Sequence, residues 1–412
     1  MSKKSGAAPR RNARGDALIR CILRKRRSGN RFVRSRSTVI CRSASAFGCM
    51  SSDRAGGLFA TSSLYCATRR LCIVTRVIGE ARSTVARWLE EGTLDVPLTR
   101  AIARIGKSAI ERGLARPLHV PHGLATITVG GATLGGSGKT RVALACTRAL
   151  ARDGHDVVLV GHGHRAVLRG DLARVVETTD TVADVGDEAL ACARSLDRDD
   201  AARRRARVVV GRSRQHAMDF AATLAPRPSV VVIDGPLQLS PRRSSLAILA
   251  VDHDAPWGSG EVVPAGDLRA TPAALLALVD HRVDVASDLG AVDFEGQRLD
   301  IASFASLVEA RGLEVGLFTA VARPGRIARA LEAGGVRSRV MVRLPDHGPL
   351  SAEARAALLE ADVDLWTATE KCATHLTLAG ITRPLAILRD DLSVEPALLS
   401  HMRALTLPKS RA

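Results

Sequence analysis

A glycine-rich run that ends in lysine and threonine is the part of this chain best suited to chemistry. Gly135-Gly136-Ser137-Gly138-Lys139-Thr140 follows the apolar alternation of Ile127 and Val129 and precedes a helix-forming stretch that ends near Arg152. Glycines let a backbone wrap closely around phosphates and aim its N–H groups at them. The positive end of the following helix adds to that field. In such a cradle Lys139 reaches the outer phosphates and Thr140 offers its hydroxyl to Mg²⁺. Thr133 stands where the strict G-x-x-x-x-G-K-[ST] pattern has its first glycine, so the tail of the pattern carries the reading. A glycine-rich turn that merely joins strand to helix is the alternative. It gives no reason for Lys-Thr at the helix start.

These groups need a scaffold. Strand-like runs are expected at Leu124–Val129, Asp156–Val160, Arg207–Val210, Ser229–Ile233 and Leu246–Val251, and helices at Gly138–Arg152, Glu188–Ser195 and Ser213–Leu224. Apolar strands alternating with helices imply a parallel sheet covered on both faces. Ligands bind beyond the carboxyl ends of such strands. The glycine loop, His162, His164 and Asp234 all fall there. After Val283 a hairpin turn is expected at residues 293–298. A second set of elements follows: a strand at Glu314–Ala320, helices at Pro324–Ala333 and Ser351–Glu360, and strands at Val363–Thr367 and Leu385–Leu388. The expected fold is α/β: a P-loop NTPase-like parallel sheet with helices on both faces, plus a smaller C-terminal α/β domain. The expected divisions are 1–72, 73–120, 121–285 and 286–412.

Charge is distributed unevenly. Residues 1–72 hold 17 Lys/Arg and 2 Asp, whereas the whole chain carries +18, so the remainder is nearly neutral. The Arg/Ser/Gly-rich start has no sustained periodicity and reads as disordered. A basic nucleic-acid arm, a targeting peptide and an over-extended translation start are its competing readings, and the last is favoured. Residues 73–117 read as helical. Within Leu98–Leu114 an apolar stripe (Leu98, Ala101, Ile102, Ile105, Ala109, Ile110, Leu114) lies against Arg100, Arg104, Lys107 and Arg112. Such a helix suits an anionic membrane surface or a packed position with a solvated basic face. No run is long enough to span a bilayer, so a cytoplasmic protein is expected. Cys146, Cys192 and Cys372 are scattered and read as reduced. Aromatic residues make up 3% of the chain, too few to line a base-stacking surface, so no nucleic-acid partner is expected.

The order of motifs resembles the tetraacyldisaccharide 4′-kinase family, over about Leu98 to Leu388. Its VGNxTVGGTGKT loop corresponds to Val129–Thr140, including Thr133. Its VGDEP corresponds to Val185-Gly186-Asp187-Glu188. GNG and LPAGPLRE correspond to Gly258-Ser259-Gly260 and Pro264–Arg269, and the ARP loop to Ala322-Arg323-Pro324. FPDHH corresponds to Leu344-Pro345-Asp346-His347, and TEKD to Thr369-Glu370-Lys371. The resemblance implies an ATP- and Mg²⁺-dependent kinase that phosphorylates the 4′-hydroxyl of the tetraacyl glucosamine disaccharide 1-phosphate, working at the cytoplasmic face of the inner membrane. It implies Asp187 as catalytic base, assisted by His347 from the opposing domain. It further implies Gly135, Gly136, Ser137, Gly138, Lys139 and Thr140 as the nucleotide cradle. Thr140, Asp234 and Glu188 fall to the metal, and Arg269 and Asp346 to the substrate. The acyl chains would suit the amphipathic helix. Read alone, Asp187-Glu188 is more readily a helix-capping pair before Ala189–Ser195.

The chain also departs from that pattern. DDGxQH aligns with Asp234-Gly235-Pro236-Leu237-Gln238-Leu239, which keeps the first carboxylate and the glutamine and loses the second carboxylate and the histidine. RGYG becomes His162-Gly163-His164-Arg165, the second histidine of PDHH becomes Gly348, and the aspartate of TEKD becomes Cys372. Two further functions therefore stay open: a nucleotide-binding homologue without kinase activity, and a P-loop ATPase that binds nucleic acid through the basic arm.

Overall fold

A strand buried on both faces has no polar side to present, so it reads as an unbroken apolar run. Val157-Val158-Leu159-Val160, Val230–Asp234 and Leu246–Asp252 are such strands, buried at every position. The computed structural model describes Val85 and residues 88–406, except 162, 164–165, 169–170, 287–288, 345–349, 377–379 and 390–391, and not the side chains of 107–109. The expectations for the basic segment 1–72, for residues 73–84, for His162, His164 and Arg165, and for Asp346 and His347 lie outside the described residues.

The chain runs through helix α1 (Pro97–Arg112), strands β1 (Ala115–Pro117) and β2 (Ala125–Gly131), helix α2 (Lys139–Arg152), and strands β3 (Val157–Val160) and β4 (Ala173–Val175). Helices α3 (Val182–Val185), α4 (Asp187–Asp197) and α5 (Asp200–Arg205) precede strand β5 (Ala206–Gly211), helix α6 (Arg214–Thr223), and strands β6 (Val230–Asp234), β7 (Gln238–Ser240) and β8 (Leu246–Asp252). Helix α7 (Pro272–Leu276), strands β9 (His281–Val285), β10 (Ala291–Phe294) and β11 (Gln297–Leu299), helix α8 (Ile301–Arg311) and strand β12 (Val315–Thr319) follow. The remainder is α9 (Pro324–Ala333), β13 (Ser338–Arg343), α10 (Ala352–Glu360), β14 (Leu365–Thr369), α11 (Glu370–Leu376), β15 (Leu385–Arg389) and α12 (Pro396–Thr406).

The first sheet has the order β4-β5-β3-β6-β2-β8-β9 and is parallel except for β4. Helix α2 buries Val142, Ala143, Cys146 and Leu150 on one face of it, and α6 packs Ala217, Met218 and Ala221 on the other. Strand β2 lies inside the sheet, flanked by β6 and β8. The register Val129↔Asp234 sets the end of β6 level with the start of the glycine loop. The second sheet has the order β11-β10-β15-β14-β12-β13, four parallel strands with an antiparallel hairpin at one edge. Glu295 and Gly296 turn that hairpin with φ of 50° and 76°. Positive φ at both central residues matches the right-handed twist of the flanking strands. Asp300 and Ser351 cap α8 and α10, accepting from Ser303 N and Ala354 N, and proline opens α9.

Several features differ from the sequence expectation. Helix α1 ends at Arg112; Gly113 follows it, and Ala115–Pro117 pairs with β7 instead of extending the helix. Helix α12, which carries no strong sequence signal, returns to the first sheet. Its Leu398 and Met402 join the core beneath α2, and Arg403 bonds Asp153 at 2.7 and 2.8 Å. On α1, Leu98, Ile102 and Ile105 are 69%, 48% and 86% exposed, so this apolar row does not pack on the core.

Asp199 ties the helices under the sheet together. It caps α5 by accepting from Ala201 N and Ala202 N at 3.2 and 3.1 Å, and it receives Arg152 from α2 at 2.7 Å. Burial works to raise its pKa, but the Ala202 N–H and Arg152 outweigh it, so the carboxyl titrates below the usual aspartate value. Asp199→Ala is expected to lower the unfolding free energy by about 1–2 kcal/mol at pH 7, measured in urea. A carboxyl with a depressed folded-state pKa stabilises above its unfolded pKa. The advantage of the native residue should therefore fade below about pH 4. An unchanged gap at pH 3 would refute this account.

Candidate active site

The glycine loop is held by contacts that leave no room for side chains. Gly136 and Gly138 adopt φ of 74° and 78°. A Cβ at Gly138 would lie 2.7 Å from Val285, and one at Gly136 would lie 2.8 Å from Arg323. Gly138 caps α2 without a side-chain acceptor, so an anion is the natural partner for the N–H groups of the first turn. Thr140 Oγ1 donates to Asp234 Oδ2 at 2.7 Å, and Lys139 Nζ stands 3.9 Å from Asp234 Oδ1. Asp234 holds Lys139 above the usual lysine pKa. Burial pushes the Asp234 carboxyl up, while Lys139 and Thr140 pull it down. Its Oδ1 is buried without a hydrogen-bond partner.

A cavity of about 310 Å³ opens on this loop. Its first wall is Gly135–Thr140 with Leu144, Ala145 and Arg148 of α2. Its second is Glu188, Ala191, Cys192 and Ser195 of α4. The third comes from the other sheet through Arg323, Arg326, Glu370, Lys371 and Leu388. Ligand pockets of a few hundred cubic ångströms, mostly apolar with a few aimed polar groups, are the usual kind.

Two arginines at the start of α9 span the sheets. Arg323 meets Asp252 at 2.7 Å, Asp267 at 2.9 Å and Glu90 at 2.7 Å. Arg326 bonds the Gly136 carbonyl at 2.7 Å and Asp252 at 2.9 Å. The second sheet thus grips the glycine loop directly.

A second cross-sheet cluster lies at the start of α4. Asp187 is 4% exposed and is not part of the cavity wall, whereas its neighbour Glu188 is. Lys371 Nζ of α11 stands 3.7 Å from Asp187 Oδ2 and 3.5 Å from Glu188 Oε1. His375, one turn further along α11, places Nε2 3.5 Å from Asp187 Oδ2. Asp187 Oδ1 accepts from Glu188 N at 2.9 Å.

The model of the Tetraacyldisaccharide-1-P 4′-kinase family matches residues 97–405. The chain belongs to this family. It is 34% identical over 256 residues to the tetraacyldisaccharide 4′-kinase of Rhodospirillum centenum, covering 60% of this chain and 70% of that protein. It is 33% identical over 280 residues to that of Nitrobacter hamburgensis, covering 65% and 77%, and 31% identical over 290 residues to that of Azorhizobium caulinodans, covering 67% and 81%. Among solved structures, LpxK from Aquifex aeolicus in complex with ATP matches with a TM-score of 0.54 at 18% identity, covering 75% of this chain and 96% of that one. That match is a likeness of fold.

Within the kinase, most of the site residues named from sequence converge. Gly135–Thr140 and Glu188 line one cavity, and Asp234 meets Lys139 and Thr140 beside it. Arg269 sits under the loop: its Nε donates to the Thr133 carbonyl at 2.8 Å, and burial lowers its pKa. Gln238, the surviving glutamine of the degraded motif, is fully engaged. Its Oε1 accepts from Leu239 N, Ser244 N and Ser244 Oγ, and its Nε2 donates to the Leu278 carbonyl. It staples the turn between β7 and β8. At Gly235 a Cβ would collide with the Arg214 guanidinium, so an arginine fills the place of the missing carboxylate. Cys372 Sγ accepts from Ala320 N and Thr369 Oγ1, so the buried thiol is held by two donors. Sequence reasoning did not single out Arg326, Asp252 or His375 as site residues. Nothing local marks them, because each acts across the two sheets.

Proposed function

We propose that this kinase transfers the γ-phosphoryl group of ATP to the 4′-hydroxyl of the tetraacyl glucosamine disaccharide 1-phosphate. The observation that carries the reading is the convergence of Lys139 and Thr140 on Asp234, at the mouth of a cavity completed by the second sheet. Lys139 would hold the outer phosphates, and the loop N–H groups would take the inner ones. The hydroxyl oxygen would attack γ-phosphorus as the bond to the β-phosphate oxygen breaks, and Asp187 would receive the hydroxyl proton. By the family resemblance His347 and Asp346 would assist, with Arg269 near the substrate.

Mg²⁺ suits the donors present. It prefers oxygen ligands and keeps few from the protein. The Thr140 hydroxyl and the unpartnered Asp234 Oδ1 are such oxygens, and Glu188 faces the same cavity. The bound ion would neutralise charge on the phosphate oxygens.

The exposed Leu98, Ile102 and Ile105 on α1, with Arg100 and Arg104, support peripheral docking on an anionic inner-membrane face, where the acylated substrate resides. Among the described residues no helix is long and apolar enough to cross a membrane.

Arg214 in the place of the second carboxylate favours a second reading, nucleotide binding without turnover. Radiolabelled ATP incubated with the lipid disaccharide separates the two. Label on the lipid supports the kinase. ATP retained by the protein with unlabelled lipid would leave only the binding module.

A further inference from the structure

Helix α11 carries Lys371 and His375 four residues apart, a spacing that puts both on one face. That face meets the start of α4. Lys371 spans Asp187 and Glu188, lines the cavity and is partly exposed, with 16% of its side chain open. His375 is different. Its side chain is 7% exposed and does not reach the cavity, and its Nε2 is buried without a hydrogen-bond partner. Burying an unsatisfied ring nitrogen costs free energy that an apolar residue would avoid. The polar group it faces is Asp187 Oδ2, at 3.5 Å, a few tenths of an ångström beyond hydrogen-bond reach. Asp187 Oδ1 is already fixed by the Glu188 N–H.

We propose that His375 is a positioning residue: its Nε2–H takes up Asp187 Oδ2 as the two sheets close on substrate, and sets the direction in which that carboxylate accepts a proton. The proposal rests on the reading of Asp187 as the base. A base must lie within hydrogen-bond reach of the proton it removes, and apo contacts commonly tighten only in the reacting complex. Because α11 begins directly after β14, His375 reports the placement of the second sheet to a group on the first. Lys371 supplies charge to the same carboxylate but on a flexible stem that also serves Glu188. The imidazole is rigid and buried, so it supplies direction.

The test compares His375→Ala, His375→Gln, Asp187→Asn and the double variant His375→Ala/Asp187→Asn, with ATP, Mg²⁺ and the tetraacyl disaccharide 1-phosphate. His375→Ala is expected to lower kcat by about 10- to 100-fold, the cost of a base misplaced by about 1 Å, with KM for ATP unchanged. Glutamine, which keeps an N–H donor at similar reach, should recover most of the loss. The double variant should be no slower than Asp187→Asn, since both act through one carboxylate. Multiplying losses in the double variant would overturn the proposal. So would a loss in His375→Ala that glutamine leaves unrepaired and that comes with weaker ATP binding and a lower melting temperature, which is a packing defect. If Asp187→Asn is slow and His375→Ala matches the native enzyme, His375 alone is misassigned. If both match the native enzyme, the role of Asp187 falls first and takes this one with it.

Discussion

Lys139→Ala is expected to lower kcat/KM for phosphoryl transfer by about a thousandfold, which is about 4 kcal/mol of transition-state stabilisation. Lys139 is the ammonium group that follows directly on the glycine loop, and it lies beside the cavity rather than in bulk water. In such surroundings a charge aimed at developing negative oxygens acts far more strongly than in solvent. The variant also leaves Asp234 buried beside Thr140 without its cation. Asp234 is already pushed up by burial, and losing Lys139 removes a force that pulls it down. A carboxyl whose folded-state pKa is raised stabilises the fold below its unfolded pKa and loses that contribution as pH rises through the folded value. The variant should accordingly be least stable, relative to native, at neutral pH and recover toward pH 4. Circular dichroism separates this stability effect from the kinetic one. Lys139→Arg should rescue stability more than rate, because a planar fork does not reproduce a point charge. Turnover within tenfold of native in Lys139→Ala would remove Lys139 from the phosphate site.

The first sheet was legible because burial on both faces writes an unbroken apolar run. The five strands expected there are β2, β3, β5, β6 and β8. Helix signals succeeded where a cap or a proline supplies a local reason, as at Ser213, Pro324 and Ser351. The tight backbone of the glycine loop was legible for the same reason, since its glycines answer to local φ and local crowding. What stayed hidden acts between segments far apart in sequence. Helix α12 is weakly patterned, and its place beneath α2 depends on a surface made by other elements. Nothing around Arg323 announces that it meets Asp252, Asp267 and Glu90. The apolar stripe of α1 was visible, but not its outward direction, because periodicity defines a face and not what covers it. Gly235 looked like the loss of an acidic group. Its consequence, an arginine in the vacated space, needed the position of Arg214 on a different strand-to-helix turn.

Arg323 should dominate stability as Lys139 dominates rate. Its side chain is 11% exposed, and its guanidinium meets three carboxylates whose side chains are 2%, 5% and 32% exposed. Removing the cation takes the shared guanidinium from all three carboxylates and leaves Arg326 beside Asp252, and breaking a buried charge network from one side costs about 3–5 kcal/mol. Arg323→Met keeps the stem that packs on Gly136 and deletes the charge, so its loss reports the network itself. The pH dependence identifies the cause. Burial already holds Glu90 above the usual glutamate pKa, with Arg323 pulling the other way. In the variant that restraint is gone, so the Glu90 carboxyl binds its proton more tightly folded than unfolded, and stability rises as pH falls. The gap between native and variant should be widest near pH 7 and narrow below about pH 5. A simple packing defect would instead leave the gap constant with pH. The kinetic consequence follows from the same contacts. With Arg323 gone, the hydrogen bond from Arg326 to the Gly136 carbonyl remains between the second sheet and the loop. KM for ATP should then rise while the chemical step, once ATP is bound, slows less. Equal stability across the pH range together with an unchanged KM would mean that the arginine is tolerated at this junction and does not hold it.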